Sequence, residues 1–272
     1  MAKKTKVIPG FGISMGLAIL YLSLIVLIPL STVLIQTSKM GFGEFFKVIT
    51  DPRTVASYEV SFGCALLAAI INVVFGLIIA WVLVRYKFPF KRFLDGCIDL
   101  PFALPTAVAG ISLTTLYSKN GWIGSILAKF GIQGSFSTFG ITVALVFIGI
   151  PFVVRTIQPV LEDLDGSIEE AASILGASRI QIFIKVIFPQ LIAPLLTGFS
   201  LAFARGIGEY GSVVFIAGNK PMKTEIAPLL IMTKLEQFDY SGATAIALVM
   251  LIFSFFMLFV INLIQWRTNK YR

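Results

Sequence analysis

The chain predicts an all-α, polytopic membrane protein: one domain over residues 1–272, with six transmembrane helices. Three observations carry this. Hydrophobic residues make up 57% of the chain and charged residues 13%, against roughly a quarter charged in soluble domains. The apolar residues are gathered into uncharged stretches: Val7–Ser38, Val60–Val84, Leu100–Ser118, Phe130–Val154, Val186–Ala204 and Tyr240–Trp266. A bilayer core of about 30 Å takes roughly 20 helical residues, which each stretch can supply.

The predicted spans cover about residues 11–36, 60–84, 99–118, 139–161, 187–206 and 242–266. The first follows basic residues as a signal peptide would, but Phe11–Ile35 is too long for such a segment and no small-residue cleavage site follows, so it reads as an anchor. Gln36–Tyr58 is a mixed connection with a turn signal at Asp51-Pro52. The second span ends at Arg85-Tyr86-Lys87, a charged and aromatic cluster suited to an interface. The third opens with Asp99-Leu100-Pro101-Phe102-Ala103-Leu104-Pro105. Pro101 and Pro105 remove backbone donors and open the helical ladder, which lipid tolerates only where protein or water satisfies the freed groups. They mark either a packed kink or a gate element. Gly131–Gly140 reads as loop, so the fourth span shifts to 139–161 and brings Arg155 to its edge. Gly206–Asn219, beyond the fifth span, either extends that span or re-enters from the outer side.

The net charge of +8 is distributed in a way that argues against a nucleic-acid partner. Six spans put both ends on one side. That side carries 13 basic residues against 9 opposite, and the short loop Arg85–Cys97 holds four of them. Short loops weigh most in the positive-inside rule, so both termini are expected in the cytoplasm. Cys64 and Cys97 then fall near opposite membrane faces, too far apart for a disulfide. With no histidine, little remains from which to build a zinc or haem site.

Between the fourth and fifth spans lies a polar island, about residues 162–189. Ser167 with Glu170 matches a capping box, Ala171 and Ala172 are compact helix formers, and Gly176 suits the left-handed residue that ends a helix. Ser178 with Gln181 is a second capping box, opening a helix that runs into Pro189. Two short helices joined at a glycine follow from these residues. The pattern also imitates a DNA-binding helix-turn-helix, but five acidic residues between Glu162 and Glu170 disfavour phosphate.

The run Glu170-Ala171-Ala172, then Gly176, then Val186-Ile187-Phe188-Pro189 resembles the EAA signature of ABC importer permeases; Val186 and Phe188 depart conservatively from that consensus. Further runs, DLPFALPTAVAG from Asp99, IPFVVRTIQPVL from Ile150 and GEYGSVVFIAGN from Gly208, resemble the T-type branch of sulfate/thiosulfate permeases, with molybdate/tungstate permeases as close relatives. The resemblance implies a type I ABC importer permease fold in a bacterial inner membrane. It also implies that Glu170, Ala171, Ala172, Gly176 and Pro189 belong to a coupling helix docking on a cytoplasmic ATPase. The implied partners are a second, W-type permease, two ATPase copies that bind ATP and Mg, and an extracytoplasmic sulfate-binding protein.

No cofactor is expected in this chain, because no G-x-x-x-x-G-K-[ST] loop occurs to cradle ATP phosphates. The G-x-G-x-x-G at Gly206, Gly208 and Gly211 follows a membrane helix rather than a strand, so a dinucleotide site fails its context. Candidate path or gate residues are Pro101, Pro105, Thr106, Arg155, Arg205 and Glu209. A divalent oxyanion needs donors and positive potential along its route, which the two arginines can supply. Snorkelling, or pairing of Arg205 with Glu209, competes with that role. The rival functions are a stand-alone secondary anion transporter, which usually has inverted repeats not evident here, and an intramembrane enzyme, for which no nucleophile and base are found.

Overall fold

A computed structural model describes residues 11–270, with no β-strand among them. The predicted placement of the two chain ends concerns Lys3, Lys4, Lys6 and Arg272, which lie outside the described residues. Thirteen helices follow in order: α1 Phe11–Ser38, α2 Phe42–Ile49, α3 Pro52–Arg85, α4 Lys91–Ile98, α5 Leu100–Ala103, α6 Thr106–Tyr117, α7 Trp122–Lys129, α8 Thr138–Glu162, α9 Gly166–Ile174, α10 Arg179–Ile207, α11 Val213–Ile216, α12 Ala227–Glu236 and α13 Tyr240–Lys270. Two of them contain a widened π turn, α1 at Ser23–Leu27 and α10 at Phe183–Ile187.

Five helices, α1, α3, α8, α10 and α13, are long and apolar enough to cross a membrane unbroken. The segment expected as the third span is instead assembled from α5 and α6. Leu104 is extended at ψ 136° and Pro105 at ψ 130°, separating the two pieces. Pro105 has no amide hydrogen to bond back, and it pushes the residue before it out of the helical region. Pro105 therefore produces a full break, the stronger form of the opened ladder expected from sequence, while Pro101 stands in the first turn of α5.

The core is a three-helix contact among α3, α8 and α10. Ala65, Ala68, Ala69 and Ala80 of α3 pack with Ile141, Val153, Val154 and Ile157 of α8 and with Leu191, Ala202 and Phe203 of α10. In lipid no hydrophobic force separates helix from solvent, so close backbone approach across small residues drives such packing. A methyl group added at Gly198 of α10 would lie 2.9 Å from Val153 Cα, and one at Gly76 of α3 would lie 2.7 Å from Val153 Cγ1. The glycines therefore set the interhelical distance. Asn72 of α3 lies at the centre of this contact, 1% exposed, and neither amide atom has a hydrogen-bond partner among the described residues.

The peripheral elements attach to this core. Asp51 caps α3, accepting from the amides of Arg53 and Thr54 at 3.0 and 3.4 Å, as the Asp-Pro turn signal predicts. Arg53 forms a bidentate pair with Glu225, both bonds 2.6 Å, which fastens the loop before α12 to the start of α3. Ser61 accepts the Ala227 amide hydrogen at 2.7 Å and holds the first turn of α12.

Candidate functional site

Two places hold the residues singled out in the sequence. The first is the elbow between α9 and α10. The N-cap of α9 is Asp165, whose carboxylate accepts the Ser167 amide at 2.9 Å. The capping box predicted at Ser167 and Glu170 is therefore corrected by two residues. Asp165 reaches a free amide of the first turn, the helix begins at Gly166, and Ser167 and Glu170 fall within it. Those same bonds from Ser167 hold the Asp165 carboxyl below the ordinary carboxylate range. The second box is present in full: Ser178 N–H donates to Gln181 Oε1 at 2.8 Å, and Gln181 N–H to Ser178 Oγ at 3.4 Å. Gly176, at φ +83°, is the left-handed joint between the helices.

Glu170, Ala171 and Gly176 are exposed, and Ala172 and Pro189 are partly covered. Beside them the elbow presents Ile174 at 86%, Leu175 at 87% and Ile180 at 71% exposure. Three large aliphatic side chains thus stand exposed on a short polar segment. The elbow is also fastened at its base. Arg85 Nη2, at the end of α3, pairs with Glu169 of α9, and its guanidinium lies 5.3 Å from the Trp81 ring centroid. Trp81 meets Phe183 of α10 edge to face at 5.3 Å. By sequence alone Arg85 is an interface charge. Its partner lies 84 positions away, and no local pattern signals such a pairing.

The second place is the broken third segment and its surroundings. Arg155 of α8 donates from Nε to Asp99 Oδ1 at 2.9 Å and from Nη1 to Asp95 Oδ1 at 2.7 Å and Gln158 Oε1 at 2.6 Å. From Nη2 it reaches Asp95 O at 2.8 Å and Asp99 Oδ2 at 2.7 Å. A guanidinium has five N–H donors, and all are engaged. Arg155 thus clamps α4 and the start of α5 to α8, leaving no donor for a passing anion in this conformation.

Further along, Gly208–Ser212 interrupts the chain between α10 and α11, answering the open question of whether the fifth span continues. This loop packs on α6. A methyl group at Gly110 would lie 2.7 Å from Ser212 Cα, and one at Gly211 would lie 3.2 Å from Thr106 Cβ. The loop carries Glu209, 2% exposed, whose Oε1 accepts from Ser212 N–H at 2.8 Å and Ser212 Oγ–H at 2.9 Å. Its Oε2 pairs with Arg205 Nη1. Of the six path candidates, Thr106, Arg205 and Glu209 gather around this loop. Pro105 forms the adjoining break, Pro101 belongs to α5, and Arg155 serves the clamp.

Residues 72–270 match the family described as the inner membrane component of binding-protein-dependent transport systems. The chain belongs to that family. The permease is 50% identical over 265 residues to the sulfate transport system permease protein CysT of Salmonella typhimurium, covering 97% of this chain and 96% of the relative. It is also 50% identical over 253 residues to the CysT protein of Synechocystis, covering 93% and 88%. Among solved structures it resembles a bacterial ABC transporter involved in import of the acidic polysaccharide alginate. There the TM-score is 0.77 at 12% identity, over 95% of this chain and 96% of that one. A bacterial alginate ABC transporter in complex with an alginate pentasaccharide-bound periplasmic protein matches at TM-score 0.77 and 14% identity, over 94% of each chain. The permease has the type I ABC importer fold and is a transport subunit, not an enzyme.

Proposed function

We propose that this permease carries sulfate or thiosulfate into the cytoplasm as one half of a membrane pore, driven by ATP hydrolysis in separate subunits. The observation carrying this reading is the half identity to sulfate permeases over nearly the whole chain. The complex pairs the chain with a second, W-type permease, two copies of an ATPase holding ATP and Mg, and an extracytoplasmic sulfate-binding protein. Both termini and the elbow lie on the cytoplasmic side. Glu170, Ala171, Ala172, Gly176 and Pro189 place the coupling helix, and Ile174, Leu175 and Ile180 enter a groove on the ATPase. The groove changes shape with nucleotide, and that differential contact is what shifts the permease between its two orientations. Arg85 and Trp81 transmit the movement to α3, while α10 carries it directly across the membrane. The transported anion passes the break at Leu104-Pro105 and the loop Gly208–Ser212.

Affinity purification of the chain from its native membrane, followed by reconstitution of what co-purifies, tests this. An ATPase and a second permease are expected to co-elute, and labelled sulfate uptake is expected to require ATP and the binding protein. Sulfate movement by the chain alone on an ion gradient, or uptake of molybdate but neither sulfur oxyanion, would overturn the reading.

A further inference from the structure

Arg155 and Arg205 look alike in sequence but differ in how their donors are engaged. All five N–H groups of Arg155 are bonded. Arg205 uses one, from Nη1 to Glu209, and Nε and Nη2 have no partner among the described residues. Arg205 stands in the last turn of α10, an apolar helix whose end lies inside the bundle. Its neighbour Gly206 packs on Ala65 and on Leu145, where an added methyl would sit 3.4 and 3.9 Å from their side chains. Leu145 is seven residues along α8 from Thr138, or about 10 Å inward. Open guanidinium donors at that depth are costly unless they face a water-filled route or a ligand. The Arg205 side chain is 35% exposed, so the open edge is accessible. The Thr106 hydroxyl faces the same loop across Gly211.

Glu209 has the opposite character. Three donors fix its carboxylate, and it is almost wholly enclosed. Ser212, 0% exposed, supplies two of those donors, so the carboxylate is held by the loop and not by Arg205 alone.

We propose that the open edge of Arg205 is a transit contact for the tetrahedral dianion, with Thr106 as an accessory donor, and that Glu209 is a fixed counter-charge that keeps this contact weak. This inference rests on the oxyanion-import reading above. A dianion meeting an uncompensated guanidinium in a low-dielectric route would bind tightly and leave slowly. A pore site must bind well enough to admit its ion and weakly enough to release it. Glu209 cancels the arginine's net charge without blocking its outward-facing N–H groups. It is a positioning residue that acts through Arg205 and does not itself touch the anion.

The test uses the full complex in liposomes, with labelled sulfate and saturating loaded binding protein. Two quantities are read: sulfate taken up per ATP hydrolysed, and sulfate left on the complex after rapid dilution. Glu209→Gln keeps an oxygen for Ser212 and removes the counter-charge. Retained sulfate is expected to rise about tenfold while uptake per ATP falls, a gain that misfolding cannot produce. Arg205→Gln is expected to abolish retention and to lower uptake per ATP. Arg205→Lys falls between, since an ammonium lacks the planar fork. The proposal is overturned if Glu209→Gln loses sulfate as Arg205→Gln does, or if both variants match the unaltered protein. It is also overturned if Arg205→Gln releases the second permease on elution, which would assign the open donors to that subunit. If the unaltered complex hydrolyses ATP but imports neither sulfate nor thiosulfate, the functional reading fails instead, and the same variants are then read with molybdate.

Discussion

At φ +83° Gly176 occupies backbone space that L-residues enter at a cost of about 1–2 kcal/mol. A Cβ added there meets nothing within 4 Å, so a substitution is opposed by conformation and not by crowding. This separates two explanations of why the elbow needs glycine. If the left-handed joint is what matters, Asn, which tolerates that region, should retain uptake within about twofold. Ala should lose about fivefold, and Val, being β-branched, tenfold or more, since 1.4 kcal/mol is a factor of ten. The elbow is exposed and held by few bonds, so the strain is relieved by local fraying and leaves the bundle folded. The assay is ATP-driven sulfate uptake by the reconstituted complex, with elution and melting temperature confirming assembly. Equal loss in the Asn, Ala and Val variants would refute the conformational argument and assign the effect to side-chain bulk on the docking face. Uptake unchanged in Gly176→Val would refute the importance of the joint itself.

Three other predictions address the surrounding contacts. Arg85→Gln and Glu169→Gln, which each break the tie between α3 and α9, should lower sulfate moved per ATP by up to about fivefold, and the double variant should lose no more than either single one. Arg155→Lys replaces five donors by at most three; for this partly exposed cluster it should cost about 1–2 kcal/mol, seen as a lower melting temperature of the purified complex. Asp239 accepts from Lys234 Nζ at 2.9 Å and from the Gly242 amide at 2.8 Å, and these bonds hold its carboxyl below the usual range. A depressed carboxylate stabilises the fold above its unfolded pKa of about 3.9 and loses that contribution as pH falls through the folded value. Melting curves should therefore show an acid-side loss below about pH 4 that is smaller in Asp239→Asn.

The parts of this protein legible in the sequence were those whose cause is local. Apolar stretches placed the long helices because spanning length is a property of contiguous residues. Ser178, Gln181 and Gly176 shaped the elbow through bonds and dihedrals within a few positions of each other. Pro105 marked the break because the missing amide belongs to the residue itself. The first helix cap failed narrowly, since Asp165 and Ser167 are both capping residue types and stand two positions apart. What could not be read was long-range pairing. Arg155 as a five-donor clamp depends on Asp95 and Asp99 being brought beside α8, and Arg53 with Glu225 joins segments 172 positions apart. The contrast between a saturated Arg155 and an open Arg205 exists only once the chain is folded.

The continuity of α10 has a mechanical consequence. From Arg179 to Ile207 there is no loop in which displacement could dissipate, only one widened turn near the base and Pro194 within the helix. Twenty-nine residues make a beam of about 43 Å, so each degree of tilt at Ser178 shifts Gly208 by roughly three-quarters of an ångström. A swing of a few degrees at one membrane face therefore displaces the loop holding Glu209 by distances comparable to a hydrogen bond at the other. Arg205 and Glu209 both ride on that end, so a tilt of α10 moves the pair together against α6.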